Sequence, residues 1–214
     1  MGEVNAGTAS GAGARLNLLL EEWGLTPLDA LRAGKFEVYV SLILRWSAKV
    51  NLTAVRDEEG ILTRHFLESI ACARALPEGI RTLLDYGSGA GFPGLPIAVC
   101  RPEFAVTLAE SQGKKAAFLR EAARTLGVPV KVHGGRAESL GEHFDCVTLR
   151  AVERMPEAVA SAARLVGPSG WLALMITSDD LTRLQEAAGT GFTWGDPTLM
   201  PGSERRLLAL GRRG

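Results

Sequence analysis

The residues with the clearest chemical capacity lie in Leu83-Leu84-Asp85-Tyr86-Gly87-Ser88-Gly89-Ala90-Gly91-Phe92-Pro93-Gly94, where an apolar run ends in an acid and gives way to closely spaced glycines. Glycine lets the backbone turn tightly and approach a ligand with no Cβ in the way. The helix that follows offers unpaired N–H groups and the positive end of its dipole. Strand, glycine turn and helix in this order grip a nucleotide-type ligand. Without a ligand, so many glycines would sacrifice backbone entropy and pack nothing.

Two templates overlay the stretch. Gly89-Ala90-Gly91-Phe92-Pro93-Gly94 is formally G-x-G-x-x-G, the dinucleotide fingerprint, whereas Asp85-Tyr86-Gly87-Ser88-Gly89 is D-x-G-x-G, the loop of methyltransferases that use S-adenosylmethionine. A dinucleotide would bring two phosphates close to the carboxylate of Asp85, at an electrostatic penalty. S-Adenosylmethionine carries a sulfonium and an ammonium, which an acid at that point attracts. The charge on Asp85 therefore favours the methyl donor, with Asp85, Gly87 and Gly89 as its first candidate contacts.

The elements around the loop agree with that choice. Before it, the pattern is helical: a short broken run from Arg15 to about Leu31, a better helix carrying Phe36, Tyr39, Val40, Ile43, Leu44 and Val50, and a third from an Asp57 N-cap to about Leu76. From Ile80 strands and helices alternate, with strands at Thr82–Asp85, Ala105–Ala109, Val128–Val132, Phe144–Leu149 and Trp171–Ile176, which implies a parallel sheet covered on both sides. Phe192–Leu199 and Arg206–Leu210 read as two further strands around Pro201-Gly202-Ser203, an antiparallel hairpin. The expected organisation is a tail over 1–13, a helical cap over 14–78, and a Rossmann-like α/β domain over 79–214 with a mostly parallel seven-stranded sheet. That is the outline of an S-adenosylmethionine-dependent methyltransferase.

In such sheets ligands sit outside the carboxyl ends of the strands. The second strand ends at Glu110, 21 residues beyond Gly89, where an acid can accept both hydroxyls of a ribose. The third is followed by Gly134-Gly135-Arg136-Ala137-Glu138, a turn suited to adenine, and the fourth ends at Arg150-Ala151. Glu110 has a plainer reading as a first-turn helix acid, and two other polar features have theirs: Lys114 and Lys115 as a solvated helix face, and His65, in an otherwise apolar helix, as a hydrogen-bonded structural residue.

Bulk properties narrow the classes. Of the 214 residues, 46% are hydrophobic and 22% charged with zero formal net charge, an ordinary balance for a globular domain that leaves nucleic-acid binding to local patches. Cys72, Cys100 and Cys146 are odd in number and lie in apolar stretches without metal-ligand spacing, which points to reduced thiols, no metal and a cytoplasmic location. No apolar run is long enough to span a bilayer, and Met1–Gly13 lacks the features of a signal peptide.

These residues resemble the bacterial small-subunit ribosomal RNA guanine-N7 methyltransferases, also called the glucose-inhibited division protein B family. The likeness runs from about Leu42 to Leu210 and is carried by Arg45-Trp46-Ser47-Ala48-Lys49-Val50-Asn51-Leu52-Thr53, Arg64-His65-Phe66-Leu67-Glu68-Ser69, the glycine loop, Lys114-Lys115, Gly135-Arg136-Ala137-Glu138, Arg150-Ala151 and Glu204-Arg205-Arg206. It implies transfer of a methyl group from S-adenosylmethionine to N7 of a guanine in 16S ribosomal RNA, presented as RNA or as the small ribosomal particle; the chain itself is expected to act as a monomer. The family's cofactor contacts fall on Gly87, Phe92, Ala137, Glu138 and Arg150. Its RNA positions fall on Asn51, Arg64, His65, Lys114, Arg136 and Arg205, with Lys115 beside them. Two departures stand out: Thr177 ends the fifth strand where the family commonly has lysine and glycine, and Tyr86 replaces a small aliphatic.

Two alternatives remain open at the level of residues: a methyltransferase for a small molecule or protein, and a non-catalytic dinucleotide-binding module. Calorimetry separates the second, because a methyltransferase loop binds S-adenosylhomocysteine and leaves NAD unbound.

Overall fold

The first two helices are set by short polar signals. In a computed structural model that describes residues 11–214, α1 (Ala12–Glu22) ends before Gly24, whose φ of 67° is left-handed, and α2 (Ala30–Ser47) starts where the Asp29 carboxylate accepts the N–H of Arg32 at 2.8 Å. Of the tail expected over 1–13, residues 1–10 lie outside the described residues, whereas Ala12 and Gly13 open α1. Gly13 lets α1 press against α2, since a Cβ there would lie 2.5 Å from the carbonyl oxygen of Ala33.

From Glu58 the chain stays helical to Ala75 but changes gauge. α3 (Glu58–Gly60) is capped by Asp57, which accepts the N–H of Gly60 at 2.7 Å; a π-helical stretch, Ile61–Leu67, follows, and α4 (Glu68–Ala75) completes the run. Wide π turns are uncommon and concentrate at functional sites. This one carries Arg64 and His65.

The α/β part contains β1 (Thr82–Tyr86), α5 (Gly94–Cys100), β2 (Ala105–Ala109), α6 (Gly113–Leu126), β3 (Lys131–His133), β4 (Phe144–Arg150), α7 (Met155–Leu165), β5 (Val166–Thr177), α8 (Leu181–Ala188), β6 (Phe192–Trp194), β7 (Thr198–Leu199) and β8 (Arg206–Arg213). Strand order is β3-β2-β1-β4-β5-β8-β6, with β7 also on β8; β1 to β5 run parallel and β8 runs antiparallel to β5. The single strand expected over Phe192–Leu199 is two, which makes the sheet eight-stranded. Pro197 lies in the gap, and proline has no N–H to give to a ladder.

Register between β1 and β4 is pinned by Asp145, whose Oδ2 accepts the N–H groups of Arg81 and Thr82 at 2.9 Å each, while Thr82 Oγ1 accepts the Asp145 N–H at 3.0 Å. Alternation then sorts the side chains of β1. Leu83 faces one core shared with α1, α2, α4, α5 and α6, and Leu84 faces the other, shared with α7 and α8. The N-terminal helices thus share one continuous core with a face of the sheet. Chain order reverses on either side of β1, whose neighbours are β2 and β4, and this reversal opens a crevice at the carboxyl ends of the strands.

An aromatic stack joins the N-terminal helices to that crevice. Tyr39 on α2 stacks on Phe66 at 5.2 Å and on Phe92 at 5.7 Å between ring centroids, and its buried hydroxyl donates to the carbonyl of Ala90 at 2.5 Å. Tyr39→Phe keeps the stack and leaves that carbonyl unsatisfied. The expected cost is about 1–3 kcal/mol of unfolding free energy in urea titration, as for other buried partners lost from one side only.

Candidate active site

Asp85 organises the glycine loop from below. Its carboxylate is 1% exposed, accepting the N–H of Gly94 at 3.2 Å through Oδ2 and the hydroxyl of Thr148 at 3.0 Å through Oδ1. Expected to face the ligand, it points instead to the α5 side of β1, the same side as Leu83, because alternate strand residues share a face. A Cβ on Gly94 would fall 2.6 Å from Oδ2, so the glycine is what allows the carboxylate this close. Burial pushes the Asp85 pKa up to about 6 against hydrogen bonds from Ser88, Thr148 and Gly94 that pull it down.

Above the loop lies a cavity of about 660 Å³, in the range of small-molecule sites. Gly87, Gly89, Phe92 and Glu110 line it, as do Arg64, His65, Lys115 and Arg150. Glu110 is 6% exposed; its Oε2 accepts the N–H of Gly89 at 2.9 Å and its Oε1 that of Gln112 at 2.7 Å. Each carboxylate oxygen keeps a second acceptor site, which suits a pair of vicinal hydroxyls. A Cβ on Gly89 would meet open space apart from one carbonyl oxygen at 3.9 Å, so the loop leaves room for close approach. These residues fit the ribose of an adenosyl group.

Arg150 ends β4 with its side chain 11% exposed. Its Nη2 donates to Glu68 Oε2 at 2.6 Å and to the carbonyl of Arg64, and its Nη1 is buried without a partner among the described residues. The next residues are strained: Ala151 and Arg154 hold φ values of 49° and 51°, uncommon for side-chain-bearing residues, in a segment that borders the cavity. His65 stacks on Phe92 at 4.5 Å, and its Nε2 pairs with the hydroxyl of Thr53 at 2.7 Å. Burial, then the positive charges of Arg150 and Arg64, lower its pKa to about 3, so its ring is neutral at physiological pH.

Ala137 is buried in a short 3₁₀ turn, Ala137–Leu140, and Glu138 accepts the Tyr86 hydroxyl at 2.6 Å; neither borders the cavity. The aromatic departure at Tyr86 thus occupies a carboxylate that the resemblance assigns to the cofactor. Thr177, the other departure, lines the cavity and donates to Asp180 at 2.8 Å. Lys114, Arg136 and Asn51 are exposed outside the cavity, Asn51 accepting from Arg56 at 3.3 Å, and Arg205 points outward to pair with Asp179. Sequence reasoning missed Tyr39, Glu68 and Arg206. For Glu68 a signal existed: an acid inside the run Phe66-Leu67-Glu68-Ser69-Ile70 is buried only with partners.

A model of the family described as rRNA small subunit methyltransferase G (GidB) matches residues 32–190. The chain belongs to that family. It is 38% identical over 205 residues to the ribosomal RNA small subunit methyltransferase G of Roseiflexus sp. strain RS-1, covering 88% of this chain and 86% of the relative. To that of Xanthomonas campestris pv. campestris strain B100 it is 42% identical over 192 residues, covering 86% and 88%. Among solved structures, a methyltransferase from Pyrococcus furiosus superposes with a TM-score of 0.63 at 15% identity, covering 86% of this chain and 98% of that one. A SAM-dependent methyltransferase from Aquifex aeolicus gives 0.57 at 16% identity over 72% and 93%. The protein is a methyltransferase, and its cofactor is S-adenosylmethionine. Among the described residues no helix is long and apolar enough to cross a membrane.

Two of the shifted groups, His65 and Asp85, give opposite pH dependences of stability. His65 binds a proton near 6.5 when unfolded and only near 3 when folded, so the stability it contributes is complete above 6.5 and is lost as pH falls towards 3. Asp85 behaves inversely: its contribution is complete below 3.8 and is lost as pH rises through about 6. In urea unfolding measured against pH, His65→Gln should flatten the acid-side loss, and Asp85→Asn should remove the decline between those two values.

Proposed function

We propose that the protein methylates N7 of a guanine in 16S ribosomal RNA, as a monomer in the cytoplasm, on RNA or the small ribosomal particle. The observation that carries this reading is the cavity at the reversal of strand order, lined by Gly89 and Glu110 and by Arg64, Arg150 and Arg206. The names of the relatives supply the RNA class. The reading keeps a helical cap over 14–78 and a cofactor domain over 79–214.

When bound, S-adenosylmethionine supplies an electrophilic methyl group on a sulfonium. Glu110 would accept the ribose hydroxyls, and the backbone at Gly87 and Gly89 would pack against the donor. Phe92, wedged between Tyr39 and His65, would give a rigid apolar wall. Guanine N7 carries a free lone pair, so no proton has to be removed before the new bond forms. A neutral His65 is consistent with that chemistry, acting as a flat stacking surface rather than a base. Rate then comes from holding the two reactants in line in a site shielded from water. The outward basic residues Lys114, Arg136 and Arg205, with Asn51, would meet the RNA backbone, while Arg64 and Lys115 sit at the cavity itself.

Nucleotide mass mapping of small-subunit ribosomal RNA, from cells with and without this protein, should show the loss of one 7-methylguanosine. An unchanged map overturns the reading. RNA affinity should fall steeply with salt if several phosphates are neutralised. Glu110→Ala should weaken S-adenosylhomocysteine binding in calorimetry by about ten- to a hundredfold, the loss of charge-assisted hydrogen bonds.

A further inference from the structure

Glu68 is 1% exposed, yet it stands between two arginines from distant parts of the chain. Its Oε2 takes Arg150 Nη2 from the end of β4 at 2.6 Å, and its Oε1 takes Arg206 Nε from the start of β8 at 2.5 Å. All three residues line the cavity. Arg206 is 29% exposed on its side chain, and among the described residues its guanidinium has one further hydrogen bond, a long one of 3.5 Å from Nη2 to the carbonyl of Gly202.

A buried ion cluster of this kind is poor stabilisation. Desolvating the charges costs about as much as their attraction returns, and apolar residues of the same volume often serve stability better. The cluster also carries a net positive charge and one guanidinium nitrogen, Arg150 Nη1, that is buried with no partner among the described residues. A buried donor left unpaired is costly, and here it belongs to a residue in the wall of a ligand-sized cavity. An oxygen acceptor with negative charge would complete the arrangement.

We propose that Glu68 is a positioning residue that holds Arg150 and Arg206 as paired donors for one oxyanion in the cavity. By occupying one nitrogen of each guanidinium, the carboxylate fixes both planes and leaves Arg150 Nη1 and the outer nitrogens of Arg206 for the ligand. The oxyanion is either the amino-acid carboxylate of the cofactor or a phosphate of the RNA, both of which arginine binds through charge-assisted hydrogen bonds. The inference rests on the methyltransferase reading for the first source and on the RNA reading for the second.

Glu68→Gln and Arg206→Ala test it in two arms. In the first, calorimetry compares S-adenosylhomocysteine with 5′-methylthioadenosine, which keeps the adenosyl part and lacks the amino acid. Wild-type preference for the former should fall about tenfold or more in both variants if the carboxylate is the ligand, with methylthioadenosine affinity unchanged. In the second, the KM for RNA should rise by a similar factor at unchanged kcat, and the salt slope of RNA binding should flatten by about one phosphate, if the phosphate is the ligand. In either arm the double variant should lose less than the sum of the two single losses, because Glu68 acts in part through Arg206. Retained behaviour in both arms overturns the proposal. So does a loss of methylthioadenosine binding in Glu68→Gln, which would mark Glu68 as a structural support only. The first arm uses no RNA, so failure of the RNA reading leaves it interpretable.

Discussion

A loop made largely of glycine cannot hold its own shape, and the protein solves this by gripping the loop's backbone from three sides. Asp85 takes an N–H from beneath, Tyr39 donates to a carbonyl from the N-terminal helices, and Glu110 takes another N–H from the neighbouring strand. Two of these grips are carboxylates removed from water, a costly state unless each oxygen is answered by a donor. The loop's N–H groups answer one oxygen of each acid, and Thr148 and Gln112 answer the others. The acids and the loop therefore stabilise each other, and the surface the loop offers to a ligand is fixed before any ligand arrives.

The electrostatics of the cavity follow from the same burial. His65 is kept neutral by desolvation and by two nearby arginines, which fits a reaction at a nitrogen lone pair that needs no proton transfer. Positive charge is concentrated instead on Arg150 and Arg206, both tethered to Glu68. An untethered pair of like-charged arginines would repel each other. The shared carboxylate makes a fixed pair out of two flexible side chains.

Much of the architecture was legible because it depends on pattern. The alternation of strands and helices, the glycine loop and the antiparallel finish follow from periodicity and from glycine and proline, and boundaries shifted by a few residues at most strand ends. Direction was harder to read. The acid at Asp85 is plain in the sequence, but whether it faces ligand or helix is settled by which side of β1 packs α5. Arg205 and Arg206 are neighbours on the chain, and only the start of β8 decides that one points outward to Asp179 while the other turns inward to Glu68. Contacts such as Tyr39 to Ala90 join residues 51 positions apart and leave no local trace.

The aromatic stack of Tyr39, Phe66 and Phe92 has an implication for how such a protein can change over time. Because the N-terminal helices share both a core and a hydrogen bond with the cofactor loop, they are not an accessory that could be exchanged for another substrate-recognition module. Losing or replacing them would unseat Phe92 and the Ala90 carbonyl together. The N-terminal helices are thus bound to the cofactor loop, and the two are constrained to change as one unit.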